Sequence, residues 1–228
     1  APTVTVTANA ATKTYDGNAF VGGNGFGSSG FVNGDSGSGL AGTIIYGGSA
    51  QGARNAGSYT VAPSGLSSAL GYGLAYVASS LTVNPAAITL STSNLSKGYD
   101  GTTNATGSPS VAAGTLFGGD TLTGGTFTFD NKNVGLGNKV VSVSGIVVND
   151  GNGGANYLVS YASNTGSSIP PASLTVTAPS VTKGYDGTTS ASGTATVGAL
   201  AGAGAGETVG TSPTLAFDDK NAGSGKTV

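Results

Sequence analysis

The sequence predicts an all-β chain, built as an elongated tandem array of small antiparallel β-sandwich (Ig-like) modules. Three observations predict it. A short stretch, Lys-x-Tyr-Asp-Gly, recurs at residues 13–17, 97–101 and 183–187. Its tyrosines, Tyr15, Tyr99 and Tyr185, recur at a near-constant interval that is too long for a solenoid coil and suits a small domain. Runs of Thr/Ser alternating with Val/Ile/Leu recur at the same period, as half-buried strands do. No apolar pattern of 3.6-residue period persists over three turns, and Gly, Thr, Ser and Val make a poor helix. A β-grasp-like module with one short helix is the alternative fold.

Each module opens on a Pro followed by an alternating strand. Pro2 leads Thr3–Thr7, Pro85 leads Ala86–Ser91, and Pro171 leads Ala172–Thr177. The motif Tyr follows its Pro at nearly the same distance each time. Pro is tolerated where a strand starts. The expected modules are therefore 1–84, 85–170 and 171–228, the last truncated at its C-terminal strands. A module short of strands leaves an unpaired edge that another strand can complete.

In an extended strand the Lys and Tyr of the motif share one face, and Asp-Gly then makes a tight turn. Gly accepts the positive φ such a turn needs. The motif residues are Lys13, Tyr15, Asp16 and Gly17, then Lys97, Tyr99, Asp100 and Gly101, then Lys183, Tyr185, Asp186 and Gly187. They read as a strand that plants its Tyr ring in the module core; a Tyr/Asp ligand site is the functional alternative.

Module one continues through residues 20–40, a Gly-, Ser- and Asn-rich loop or pair of short strands. Strands follow at Ile44–Tyr46, Ser58–Val61 and Tyr72–Tyr76. Module two repeats the order with Phe127–Phe129, Val141–Ile146 and Tyr157–Tyr161. Tyr72, Leu74 and Tyr76 share one strand face, as do Tyr157, Val159 and Tyr161, and each stripe reads as core or as a sugar platform. A short helical turn is expected near Gly119–Leu122. Module three reaches Leu215–Phe217 and Lys220–Gly223.

Composition bounds the function. Gly is 42 of 228 residues, charged residues are 8% and the formal net charge is -2. Without a basic cluster, nucleic acid and anionic membrane surfaces are poor partners. There is no Cys, Met, His or Trp, so disulfides, thiolates and zinc-type sites are excluded. No apolar run approaches a membrane span, no signal peptide opens the chain, and the absent initiator Met reads as a fragment of something longer.

The sequence resembles the YDG and MBG repeat domains. Lys-x-Tyr-Asp-Gly-Thr-Thr, Phe129-Asp130-Asn131-Lys132-Asn133-Val134-Gly135 and Gly154-Ala155-Asn156-Tyr157 carry the YDG likeness. Gly30–Asp35, Asn55–Thr60 and Pro63–Leu66 carry the MBG likeness in module one, which departs from the YDG pattern at Asn18-Ala19. The resemblance implies a stalk segment of a large secreted bacterial adhesin, at the cell surface or in the extracellular matrix, serving adhesion or biofilm formation. It transfers no catalytic residue.

The residues agree that the chain is not an enzyme: the sole Glu is Glu207, and no acid/base pair or nucleophile motif is present. No cofactor is expected beyond calcium, for which Asp130, Asn149, Asp150 and Asn152 supply hard oxygens on turns. A Lys–Asn isopeptide crosslink is conceivable, with Lys97 or Lys183 near Asn-rich turns; it needs a buried Lys, an Asn and an acid in contact. The rival function is carbohydrate binding, to exopolysaccharide or cell-surface glycans. Its candidate residues are Phe20, Phe26 and Phe31, the aromatics that do not recur. Partners are otherwise the neighbouring modules of the same chain, or like chains through Thr/Val-rich edge strands.

Overall fold

The computed structural model describes residues 1–228, and the chain is β throughout, with no α-helix. Repeat one carries strands β1 (Thr3–Ala8), β2 (Ala11–Thr14), β3 (Phe26–Ser29), β4 (Leu40–Gly47), β5 (Gly57–Ser68), β6 (Gly73–Val77) and β7 (Ser79–Asn84). Repeat two carries β8 (Ala86–Thr92), β9 (Asn104–Ala105), β10 (Pro109–Ala113), β11 (Thr121–Phe129), β12 (Gly135–Asn149), β13 (Tyr157–Tyr161) and β14 (Asn164–Ile169). Repeat three carries four very short strands: β15 (Val176–Thr177), β16 (Ser190–Ala191), β17 (Thr196–Val197) and β18 (Leu215–Ala216). The chain folds into two compact units, one of Ala1–Ser93, Ser108–Thr126 and Val143–Ala162, the other of Asn94–Gly107, Phe127–Ser142 and Ser163–Val228.

In the first unit, repeat one is a sandwich. One sheet has the order β3-β1-β6 and the other β2-β7-β5-β4. Thr-Val alternation along β1 turns Val4 and Val6 fully inward, where they meet Tyr72, and Leu40, Ile44 and Leu66 from the facing sheet close over them. Burying each such aliphatic side chain contributes roughly 1.5–3 kcal/mol.

The first strands pass from one sheet to the other without changing neighbours. Strand β1 lies parallel to β6 (Thr3 beside Gly73), and β2 lies parallel to β7 (Ala11 beside Leu81). Both pairs keep the same offset in sequence across the breaks at Asn9-Ala10 and Ala78. The same unit holds the sheet β10-β8-β13 of repeat two, where β8 and β13 are also parallel, Ala86 beside Tyr157. The all-β sandwich expectation therefore holds, but its strand sense is corrected: the sheets are mixed. Alternation reports which face is buried and says nothing of direction. The β-grasp alternative falls with the missing helix. At residues 117–120 the expected helical turn is a tight turn, closed by Asp120 N–H on the Phe117 carbonyl at 2.9 Å.

In the second unit, repeat two contributes β14, β9 and the parts of β11 and β12 at residues 127–129 and 135–142, which belong to the sheet β14-β12-β11-β9. Phe129, Val141 and Ile169 are buried there. Strand β14 runs beside β12 on one side. On the other, the segment before the second motif follows it: Ser168 N–H bonds the Leu95 carbonyl at 2.8 Å and Tyr99 N–H bonds the Pro170 carbonyl at 3.0 Å. Repeat three reuses two ladders of repeat two in short form: β15 with β17 copies β8 with β10, and β16 with β18 copies β9 with β11. Between residues 178–185 and 217–228 it has an open cleft of about 710 Å³. The corresponding place in repeat two is filled by β14.

Candidate functional site: the joints between repeats

All three motif turns are built alike. The Lys ammonium reaches back over the turn to the Asp carboxylate, at 2.7, 2.8 and 2.7 Å for Lys13–Asp16, Lys97–Asp100 and Lys183–Asp186. It also donates to a carbonyl beyond the Gly: Asn18 at 2.8 Å, Asn104 at 2.8 Å and Thr188 at 2.8 Å. The Asp Oδ1 accepts the backbone N–H two residues on, from Asn18, Thr102 and Thr188, each at 2.9 Å. This is a side-chain-closed turn, and the Gly sits at φ +74°, +75° and +76°. The Lys hydrogen bond first, then the backbone N–H, holds the Asp16 carboxyl below the usual range and brings Asp100 and Asp186 down to about 2. Lys97 and Lys183 lie 6.0 Å above the rings of Phe129 and Phe217, at the outer limit of a cation–π contact.

The tyrosines on these turns point out of their own repeat. Tyr15 is buried, and the rings and the carboxylate its side chain meets belong to repeat two rather than to the core of repeat one. Its ring meets Tyr157 edge-on at 5.4 Å and Phe117 at 6.1 Å. Its hydroxyl donates to Asp120 Oδ2 at 2.9 Å, and Tyr157 donates to the same oxygen at 2.7 Å. Phe117 N–H donates back to the Tyr157 hydroxyl at 2.7 Å. Burial, helped by the Asp120 carboxylate, pushes both phenols above their ordinary value, so both remain donors at neutral pH. A Cβ on Gly17 would lie 2.9 Å from the backbone of Gly118. Glycine at 17 is thus demanded by φ and by the neighbour's approach.

A second contact closes the same joint. Asn156, fully buried, accepts from Ala56 N–H at 2.7 Å and donates to Asn55 Oδ1 at 3.2 Å. Asp150 holds Asn156 in place, accepting backbone N–H from Asn152, Gly154 and Asn156 at 2.8, 2.7 and 2.9 Å. Those bonds outweigh burial and hold the Asp150 carboxyl below the usual range. The Asn-Ala-Gly stretch of repeat one and the Gly-Ala-Asn-Tyr stretch of repeat two thus meet face to face. Sequence reasoning uses Asn156 only as a family mark; its placement before a strand-initial Tyr carries no signal of its partner.

Within the second unit the joint between repeats two and three follows the same plan more loosely. A Cβ on Gly101 would lie 2.7 Å from Gly202 Cα. Tyr99 is half-buried beside Leu174, Leu200 and Glu207, and Lys132 pairs with Glu207 at 3.1 Å. Tyr185, on the third turn, is 71% exposed.

The receiving half of the joint is present in repeat one as well. Tyr72 donates to Asp35 Oδ2 at 2.7 Å, and Val32 N–H donates to the Tyr72 hydroxyl at 3.0 Å. Val32, Asp35 and Tyr72 each stand one repeat length before Phe117, Asp120 and Tyr157, at a single shared offset. Of the ring stripes, only Tyr72 and Tyr157 are core; Tyr76 and Tyr161 are over a third exposed.

The other sequence-nominated residues are placed as follows. Phe26 and Phe31 pack on the Val4–Val6–Tyr72 core, Phe31 against the Tyr72 ring at 5.6 Å, and Phe20 is half-buried with its N–H on the Ala53 carbonyl at 2.8 Å. Asn149 donates to Thr123 at 3.0 Å, and Asp130 pairs with Lys139 at 3.1 Å. Asp150 and Asn152 belong to the Asn156 support. No group of three or more Asp or Glu converges as a metal site would.

Recurring all-β repeats that share one Lys-x-Tyr-Asp-Gly turn define the class: a tandem-repeat β protein. The YDG domain family model matches residues 84–166 and 170–228, and the MBG domain (YGX type) model matches residues 4–82. The chain belongs to the YDG domain family, with an MBG domain at its head. No curated protein and no solved structure matches it.

Proposed function

We propose that the chain is a stalk segment of a secreted bacterial adhesin, a load-bearing spacer that holds a binding tip away from the cell surface in adhesion or biofilm formation. The building blocks are residues 1–84, 85–170 and 171–228. The observation that carries this reading is the Tyr15–Asp120–Tyr157 joint. The motif side chains that a ligand site would leave free are spent on coupling one repeat to the next. The partners of such a segment are the neighbouring repeats; its net charge of -2 and lack of basic clusters suit neither nucleic acid nor membrane. Catalysis has no place in it.

Small-angle scattering on the full chain tests the reading. Modules of roughly 35–40 Å joined stiffly give a rod of about 100 Å; a compact globule would defeat the proposal. A glycan array on the same chain addresses the rival, carbohydrate binding. Retention of an exopolysaccharide, lost on Phe26→Ala or Phe31→Ala with the fold intact, would replace the spacer reading.

A further inference from the structure

Lys139 lies on β12 with its side chain 6% exposed, among the buried groups of the second unit. A buried ammonium is costly unless paired, and its partners are unusual. Its Nζ contacts Asn131 Oδ1 more closely than an ordinary hydrogen bond and lies 3.1 Å from Asp130 Oδ1. The other Asp130 oxygen, Oδ2, accepts from the Asn131 amide nitrogen at 3.0 Å. Asn133 N–H donates to Asn131 Oδ1 at 3.0 Å. One carboxylate therefore touches both an amine and the amide nitrogen that an attacking amine would expel. A backbone N–H is aimed at the oxygen that would become negative.

We propose that Lys139 and Asn131 are joined autocatalytically by a side-chain amide, an isopeptide bond that locks β12 to the turn after β11. A proton passes from Lys139 Nζ to Asp130 Oδ1, leaving a neutral amine. The amine lone pair attacks Asn131 Cγ, and the carbonyl π electrons move to Oδ1, where Asn133 N–H receives the charge. Asp130 delivers its proton to the amide nitrogen across the Oδ2 contact, then takes the second proton from Nζ. The Cγ–Nδ2 bond breaks, the Cγ–Nζ bond remains, and nitrogen leaves as ammonia, which carries off the surplus proton as ammonium. No oxidant, reductant or co-reactant enters. The Lys139 hydrogen bond and charge hold the Asp130 carboxyl below the usual range against the opposing effect of burial.

Repeat three carries a built-in control. Lys226 contacts Asp219, Asp218 precedes Asp219, and Asn221 N–H donates to Asp219 Oδ1 at 2.7 Å. The arrangement matches, but a carboxylate stands where repeat two has an amide. Lys226, first, holds the Asp219 carboxyl below the usual range. An ionised carboxylate resists nucleophilic attack, so this pair stays ionic. Repeat one has one lysine, Lys13, already engaged in its turn.

Intact-mass spectrometry of the purified, folded chain tests the proposal. The expected mass falls short of the sequence mass by one ammonia, with no loss of water, and digestion yields a branched peptide joining Asn131 and Lys139. Lys139→Arg and Asn131→Ala restore the full mass. Asp130→Asn slows the loss by roughly 10²–10⁴-fold, the usual range for a general acid–base group. A wild-type chain that keeps its full mass after prolonged incubation in the folded state overturns the proposal. So does an ammonia loss that survives Lys139→Arg, which would place it in a succinimide at Asn24-Gly25, Asn33-Gly34 or Asn152-Gly153. Lys139→Arg retains the charge, and its circular dichroism verifies folding.

Discussion

Tyr15 and Tyr185 stand on the same turn and meet opposite surroundings. The Lys–Asp clamp, the Asx hydrogen bond and the positive-φ glycine are alike in both. Yet Tyr15 is 5% exposed and Tyr185 is 71% exposed. The turn therefore forms without help from the ring it carries. What buries the ring is the apex of the following repeat, with its Asp and Tyr already bonded to each other. The motif separates two tasks: Lys, Asp and Gly shape a bracket, and Tyr makes the attachment.

The sharpest way to break this comparison is to truncate both rings. Tyr15→Ala should destabilise the first unit by about 3–5 kcal/mol, the cost of deleting a buried aromatic. Tyr185→Ala should stay within about 0.5 kcal/mol. Urea denaturation of the two variants measures both, and equal losses would refute the division of tasks. The glycines give a finer version. Gly187→Ala meets only φ strain, roughly 1–2 kcal/mol. Gly17→Ala adds a clash with Gly118 and should exceed it in the same assay. Comparable to the glycine changes is Tyr157→Phe, which removes one hydrogen bond to a carboxylate and leaves the ring. It should cost about 1.5–3 kcal/mol, with Phe117 N–H left unpaired.

The least effect is expected from acid. Asp100 and Asp186 have folded-state values near 2, below the ordinary 3.8. A depressed folded value adds stability at pH above the unfolded one and loses it as pH falls through the folded one. The turns should thus hold at neutral pH and weaken between about pH 4 and pH 2. Carboxyl chemical shifts followed by NMR would read this directly; midpoints at the ordinary 3.8 would remove the clamp.

Much of the fold is legible in the sequence. Thr-Val alternation places Val4 and Val6 inside, and Asp-Gly marks the turns, because both signals are local. The destination of Tyr15 is not legible. Strand parity says that a ring is buried and not which repeat buries it. Parallel pairing of β1 with β6 sets Thr3 beside Gly73, remote in sequence, and leaves no local trace. Sequence reasoning favours Lys97 and Lys183, which stand in the conspicuous motif, over Lys139. A signal for Lys139 exists: residues 139, 141 and 143 share one strand face, and Val141 and Val143 are buried. A lysine on an inward face asks for a partner.

The Asp35–Tyr72 pair in repeat one copies the Asp120–Tyr157 receptacle, while each repeat also ends its opening strands in a projecting tyrosine. Repeat one thus has a plug on one side and an outlet on the other, and the outlet of repeat two takes the plug of repeat one. Duplication of one such unit in the gene supplies both halves of a new coupling at once. Such a chain can lengthen or shorten over generations without inventing a fresh contact.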